Sequence, residues 1–173
     1  MAFRLELTDF GDFYERTYHD AYRTALGIVR DRSLAADVTQ EAYVAAYRHR
    51  DRFRGEAPST AWLYRIVVNQ ALAALRRQRA SSPVIDLSPS MAPDGAGHSV
   101  ARLTLIQALD RLPAQQRAAV VLRYYHDYDY ATIATILGTT STNVGAMLSR
   151  ALDRLKVVLE PEPETGPVAA AGG

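Results

Sequence analysis

The stretch YATIATILGTTSTNVGAMLSRALDRLK, residues 130–156, decides how this chain is to be read. Ile133, Ala134 and Leu137 fall at helical spacing, and Gly138 ends that pattern. Val144 and Leu148 then open a second helical pattern that runs to Leu159. Glycine lacks a Cβ and so accepts the backbone of a sharp turn. The small Ala134 allows two helices to approach closely. This is helix-turn-helix spacing, in which the second helix enters a DNA major groove. With Val144 and Leu148 turned inward, that helix presents Thr142, Asn143, Ala146 and Arg150 outward. Ordinary helical hairpins also contain glycine turns, so the rest of the chain has to decide between the two.

Working outward, the helical period continues almost throughout. Val, Ile and Thr nowhere alternate with period two, and no strand is expected. A first helix is expected from about 12 to 30, with Phe13, Tyr14, Tyr18, Ala21, Tyr22, Ala25, Leu26 and Val29 at helical spacing. Ser33 suits the N-cap of a second helix reaching about residue 50. RFRGEAPS, residues 52–59, holds Gly55 and Pro58 and reads as a loop. Ser59 or Thr60 then caps a third helix to about residue 79. Residues 81–99 hold three Pro, two Gly and five Ser, too few large apolar groups for a core. A second helical unit starts near Val100, and Pro113 suits the first turn of its next helix. The fold expected is all-α: a domain over 1–80, a flexible linker over 81–99, a domain over 100–159 containing the helix-turn-helix, and a disordered tail over 160–173.

The 173 residues carry a net charge of +1, but the charge is segregated. Residues 1–41 have five Arg against eight acids, and residues 42–80 have eight Arg against two. Residues 111–159 have six basic residues against three acids. Two basic segments separated by acidic ones suggest two contacts with a polyanion. Cysteine is absent, which excludes disulfides and thiolate metal sites. The first dozen residues include acids and no apolar run, unlike a signal peptide, and no membrane span is expected. The expected location is the cytoplasm.

Two further segments carry chemistry. In DVTQEAYVAAYR, residues 37–48, Asp37, Gln40, Glu41 and Val44 share one helix face. Leu34, Val38, Ala42 and Ala45 lie on another face. The first face is either a defined polar docking surface or simply a solvated one. In FRGEAPSTAWLYRIVVNQALAALRRQR, residues 53–79, four Arg and no acid follow Ser59. Arg65, Asn69 and Arg76 fall on one strip, interrupted by Leu72. Guanidinium groups grip phosphates, and an amide can bond a base edge. Phe53, Trp62 and Tyr64 are candidates for stacking on unpaired bases, with Trp62 better suited to the core.

Taken in order, these segments resemble the extracytoplasmic-function sigma factors of bacterial RNA polymerase. Residues 37–48 resemble that family's polymerase-binding helix, D-x-x-Q-E/D-x-F/Y. Residues 52–77 resemble its promoter-melting and −10 segment, in which F-R-G, an acid and later W-L-Y-R-I-x-x-N recur. Residues 108–152 resemble the domain that reads the −35 element. The resemblance implies that Asp37, Gln40, Glu41 and Val44 face the clamp helices of the polymerase's largest subunit. It implies that Arg54, Gly55, Glu56, Ser59 and Thr60, with Arg65, Asn69 and Arg76, hold the −10 DNA and capture an extruded base. Flipping costs a few kcal/mol, least at an easily unstacked step, so opening and reading are coupled. It also implies an anti-sigma protein as a possible partner.

One departure stands out. The family usually carries basic residues in the −35 helix, where this chain has Val144-Gly145-Ala146-Met147-Leu148. A weaker or unusual −35 readout is expected, resting on Ser141, Thr142, Asn143 and Arg150. Against the resemblance stands a helix-turn-helix regulator that binds DNA without polymerase, which leaves residues 33–80 unexplained. The four His are scattered and no phosphate-binding glycine loop occurs, so no catalytic residue, cofactor or metal is expected. His126-Asp127-Tyr128-Asp129 reads as a polar inter-helix loop. The small residues ending the tail suggest a protease recognition signal or an unstructured end.

Overall fold

Alanines at helical spacing shape the first unit. In the computed structural model, which describes residues 9–81 and 100–159, α1 spans Phe10–Val29, α2 Arg32–His49 and α3 Ser59–Ser81. Ala21 and Ala25 of α1, Ala35, Ala42 and Ala46 of α2, and Ala71 of α3 are fully buried. Short side chains let the three helices approach, and Phe13, Ile28, Val38, Leu63 and Val67 fill the space between them. The Thr17 and Tyr43 hydroxyls meet at 2.7 Å inside this core. Burying their polar atoms as a pair avoids the cost of leaving either unsatisfied.

The helix boundaries depend on caps that differ from those expected. Asp31, not Ser33, caps α2: its Oδ1 accepts the Leu34 N–H at 2.7 Å. Arg30 sits in the left-handed region (φ 61°), which turns the chain and leaves Asp31 extended and free to cap. The loop after α2 passes a 3-10 turn, Arg50–Arg52. The Pro58 carbonyl accepts the Trp62 N–H at 3.2 Å, so α3 begins at Ser59.

The second unit consists of α4 Val100–Asp110, α5 Ala114–Tyr124, α6 Tyr130–Leu137 and α7 Ser141–Leu159. Pro113 precedes α5 rather than lying in its first turn, and its carbonyl accepts the Arg117 N–H at 3.0 Å. Ile133, Ala134 and Ile136 of α6 and Val144, Met147, Leu148, Ala151 and Leu155 of α7 are buried with Ala118, Ala119 and Leu122 of α5. Gly138 makes the sharp turn that the sequence implied, in the left-handed region (φ 65°). Thr140 then accepts the Asn143 N–H at 3.2 Å. That bond starts α7 at Ser141, three residues before its apolar pattern becomes visible.

The two units are not held apart. α1 packs on α5, α3 packs on α6, and the buried side chains form one continuous cluster. Sequence periodicity implied two units on a flexible connection, and it gave no sign of this docking. The expected tail, and the expected linker apart from Ser81, lie outside the described residues.

Candidate nucleic-acid and partner interfaces

The α2 face comes first. Asp37, Gln40, Glu41 and Val44 are all exposed on it, while Val38 and Ala42 are buried. Leu34 and Ala45 are half-buried. Glu41 lies 3.7 Å from Arg77 of α3, an exposed pair that contributes little stability. Beside this face runs an aromatic groove of about 450 Å³, lined by Phe10, Tyr14, Tyr18, Tyr43, Val44 and Tyr47 among others. Tyr14 stands 4.7 Å from Tyr43 and 5.1 Å from Tyr18, ring centre to ring centre. Burial pushes the Tyr43 hydroxyl up to about 12, so it stays protonated. Of the residues at helical spacing in α1, Phe13, Ala21, Ala25 and Val29 are buried, while Tyr14 and Tyr18 are exposed. Their i, i+4 spacing is compatible with either face, and only the packing of α2 decides which is covered.

The second surface is the loop before α3. Gly55 has φ 74°, a conformation that other residues adopt only under strain. Arg54, Gly55 and Glu56 are exposed, and Ser59 and Thr60 are half-buried. Phe53 and Trp62 pack together at 5.4 Å. The loop walls two grooves. One, of about 910 Å³, opens toward the start of α1, and the other, of about 430 Å³, includes Trp62 and Arg65. Arg65, Asn69 and Arg76 are exposed along α3, and Leu72 between them is buried. Arg65 and Arg76 are separated by about 16 Å of helix rise, so one strip spans several nucleotides. Tyr64 is not a stacking residue. It lies two positions beyond Trp62, on the opposite side of α3, and only 4% of it is exposed.

The third surface is α7. Ser141, Thr142, Asn143 and Arg150 are exposed, and Ala146 is half-buried. The Asn143 amide donates to the Thr139 hydroxyl at 2.8 Å, which leaves its carbonyl oxygen and second N–H available to a base edge. A Cβ on Gly145 would sit 3.4 Å from the Tyr130 ring, an ordinary contact. Asp129 caps α6 by accepting the Thr132 N–H at 2.8 Å, and this bond holds its carboxyl below the usual range.

Residues 13–81 match the Sigma-70 region 2 family, and residues 102–155 match Sigma-70 region 4. ECF RNA polymerase sigma factor SigM of Mycobacterium tuberculosis is 34% identical over 152 residues, covering 87% of this chain and 76% of that one. The chain belongs to the extracytoplasmic-function sigma factors. RNA polymerase sigma factor SigV of Bacillus subtilis is 29% identical, covering 83% of this chain and 86% of its own. The fold of this sigma factor resembles that of RpoE, solved in complex with the anti-sigma factor NepR from Bartonella quintana. The TM-score is 0.77 at 24% identity, covering 91% of this chain and all of that one. Members of this family are DNA-binding transcription initiation factors that direct RNA polymerase to promoters.

Among the described residues no helix is long and apolar enough to cross a membrane. None of them form a group of three or more His, Asp or Glu that could hold a metal ion. The 126–129 segment is more than a polar loop. His126 meets Thr24 of α1 at 2.6 Å and lies 4.1 Å from the Tyr64 ring of α3. Burial pushes its imidazole down to about 4. A single histidine between two helical patterns carries no sequence signal of such contacts.

Proposed function

We propose that this sigma factor holds core RNA polymerase through Asp37, Gln40, Glu41 and Val44 of α2, against the clamp helices of the largest subunit. The loop from Arg54 to Thr60 captures an extruded base of the −10 strand. Arg65, Asn69 and Arg76 grip the same strand, and Ser141, Thr142, Asn143, Ala146 and Arg150 read the −35 duplex. The observation that carries this reading is the segregation of surfaces on one molecule. The α2 face is acidic and amide-bearing, while between Ser59 and Ala80 no acid interrupts the Arg of α3. Each surface suits a different partner, polymerase for the first and a polyanion for the second.

Residues 1–80 act as the polymerase and −10 unit, residues 100–159 as the −35 unit, and the protein works without catalysis in the cytoplasm. An anti-sigma protein is a fitting regulator, because the aromatic groove abuts Gln40 and Val44 and would be covered by anything seated on it. The Asp37→Ala, Gln40→Ala double variant tests the assignment of α2. Its affinity for core polymerase is expected to drop about tenfold or more, about 1.4 kcal/mol, with unchanged far-ultraviolet circular dichroism. Unaltered affinity would refute the assignment.

A further inference from the structure

The first turns of α7, residues 141–148, carry no charged side chain. Guanine shows the major groove two acceptors, O6 and N7, and is read best by Arg or Lys. This end of α7 therefore lacks the group that selects guanine. It holds instead an amide that is fixed on two sides. The Asn143 backbone N–H donates to the Thr140 hydroxyl at 3.2 Å, and its side-chain Nδ2 donates to the Thr139 hydroxyl at 2.8 Å. Thr139 is itself anchored. It is half-buried, and its N–H donates to the Ala134 carbonyl at 2.9 Å, directly after the left-handed Gly138. The amide is thus oriented before DNA arrives, so little rotamer freedom is left to lose on binding.

With one N–H spent on Thr139, the amide keeps one donor and the Oδ1 acceptor. Adenine presents the complementary pair side by side in the major groove, the N7 acceptor and the N6 amine. Guanine would set Oδ1 against a second acceptor. Cytosine offers its amine alone, and thymine an acceptor beside a methyl group. Reach fits as well. Asn is much shorter than Arg, so it touches a base edge only where the helix sits deep in the groove. Gly145 and Ala146, just beyond it, are small and half-buried, which lets α7 come that close. Arg150 is exposed about 10 Å further along the helix, where it suits a phosphate.

We infer that Asn143 reads an adenine of the −35 element, Nδ2 donating to N7 and Oδ1 accepting from the N6 amine, and that Thr139 is the positioning residue that aims the amide. The inference rests on the proposed −35 role of α7 and names the base that this role selects. It gives the missing basic residues a consequence: the −35 element is read through adenine rather than guanine at the position facing Asn143.

The test uses holoenzyme formed from core RNA polymerase and the full-length chain. It is offered promoter fragments, taken from a start site located by run-off transcription, in which the −35 segment is randomised. Sequencing of the bound fraction is expected to show adenine enriched roughly tenfold or more at one position. Asn143→Ala should abolish that enrichment and leave the other positions alone. Thr139→Val should weaken it with an unchanged unfolding midpoint, while Thr139→Ser, which keeps the hydroxyl, should preserve it. Replacing the selected adenine by 7-deazaadenine removes only the N7 acceptor. Affinity should then fall roughly fivefold to tenfold for the unmodified holoenzyme and stay unchanged for Asn143→Ala. An adenine preference that survives Asn143→Ala would overturn the inference. So would guanine or thymine at the position that Asn143→Ala alters, or equal losses from 7-deazaadenine in both proteins. If Arg150→Ala weakens binding while Asn143→Ala changes no base preference, the inference alone fails. If the −35 segment shows no preference at any position, the −35 reading of α7 fails and the inference falls with it.

Discussion

Arg117 shows how a single side chain organises this molecule. It is 7% exposed and donates to three carbonyls, those of Ile28, Leu109 and Leu112, at 2.6, 3.5 and 3.0 Å. Burial lowers its guanidinium to about 10, with Arg30 nearby adding to the effect, so it stays charged at neutral pH. Arg117→Ala would leave those carbonyls without their donor and is expected to cost about 2–4 kcal/mol in denaturant unfolding. The sequence did not reveal this role, because an Arg in a helix usually reads as solvated. Gly145 leads to the opposite expectation. A methyl there meets the Tyr130 ring at ordinary contact distance, so Gly145→Ala is expected to stabilise the fold by about 0.5–1 kcal/mol through helix propensity. At the proposed −35 face, Asn143→Ala is expected to relax preference at one base pair by about 1–3 kcal/mol, seen in binding to a panel of substituted duplexes. Arg150→Ala is expected to weaken binding evenly across that panel and lower the salt slope by about one.

The elements were legible to different degrees. The α6–Gly138–α7 unit followed from its apolar spacing and one glycine, and the turn falls at Gly138, where that spacing put it. The α2 face was equally clear, since four residues at i, i+3, i+4 and i+7 share one side of any helix. Caps were harder to read. Asp31 caps α2 because Arg30 turns the chain left-handed, and Arg30 is in turn tied to Asp110 80 residues away. The 126–129 segment was hidden for the same reason, as its partners lie on α1 and α3. It also gives a pH dependence. His126 faces Asp20 and Thr24 of α1, Tyr64 of α3 and, from its own loop, Tyr125 and Tyr128, with Arg23 of α1 near Tyr125. Its docked value, about 4, lies below the ordinary 6.5. The unfolded state therefore binds more protons between these values, so this contribution to stability is full above about 6.5 and is lost as pH falls toward 4. The thermal unfolding midpoint, followed by circular dichroism, should fall with pH across that range, and His126→Phe should flatten the change.

At the scale of the molecule, the family was readable because three motifs occur in the right order over one chain, and because the charge alternates along it in blocks. The docking of the two units was not readable. It depends on surfaces with no shared period, such as Gly27 against Val121, and on long-range polar pairs. The central claim is that this chain directs core RNA polymerase to promoters through the α2 face, the loop before α3 and the helix α7. Run-off transcription on genomic promoter fragments, with core polymerase alone and with this protein added, tests it most directly. The account predicts new discrete transcripts that disappear in the Asp37→Ala, Gln40→Ala variant. The absence of new transcripts, together with duplex binding by the protein alone at an operator, would contradict it.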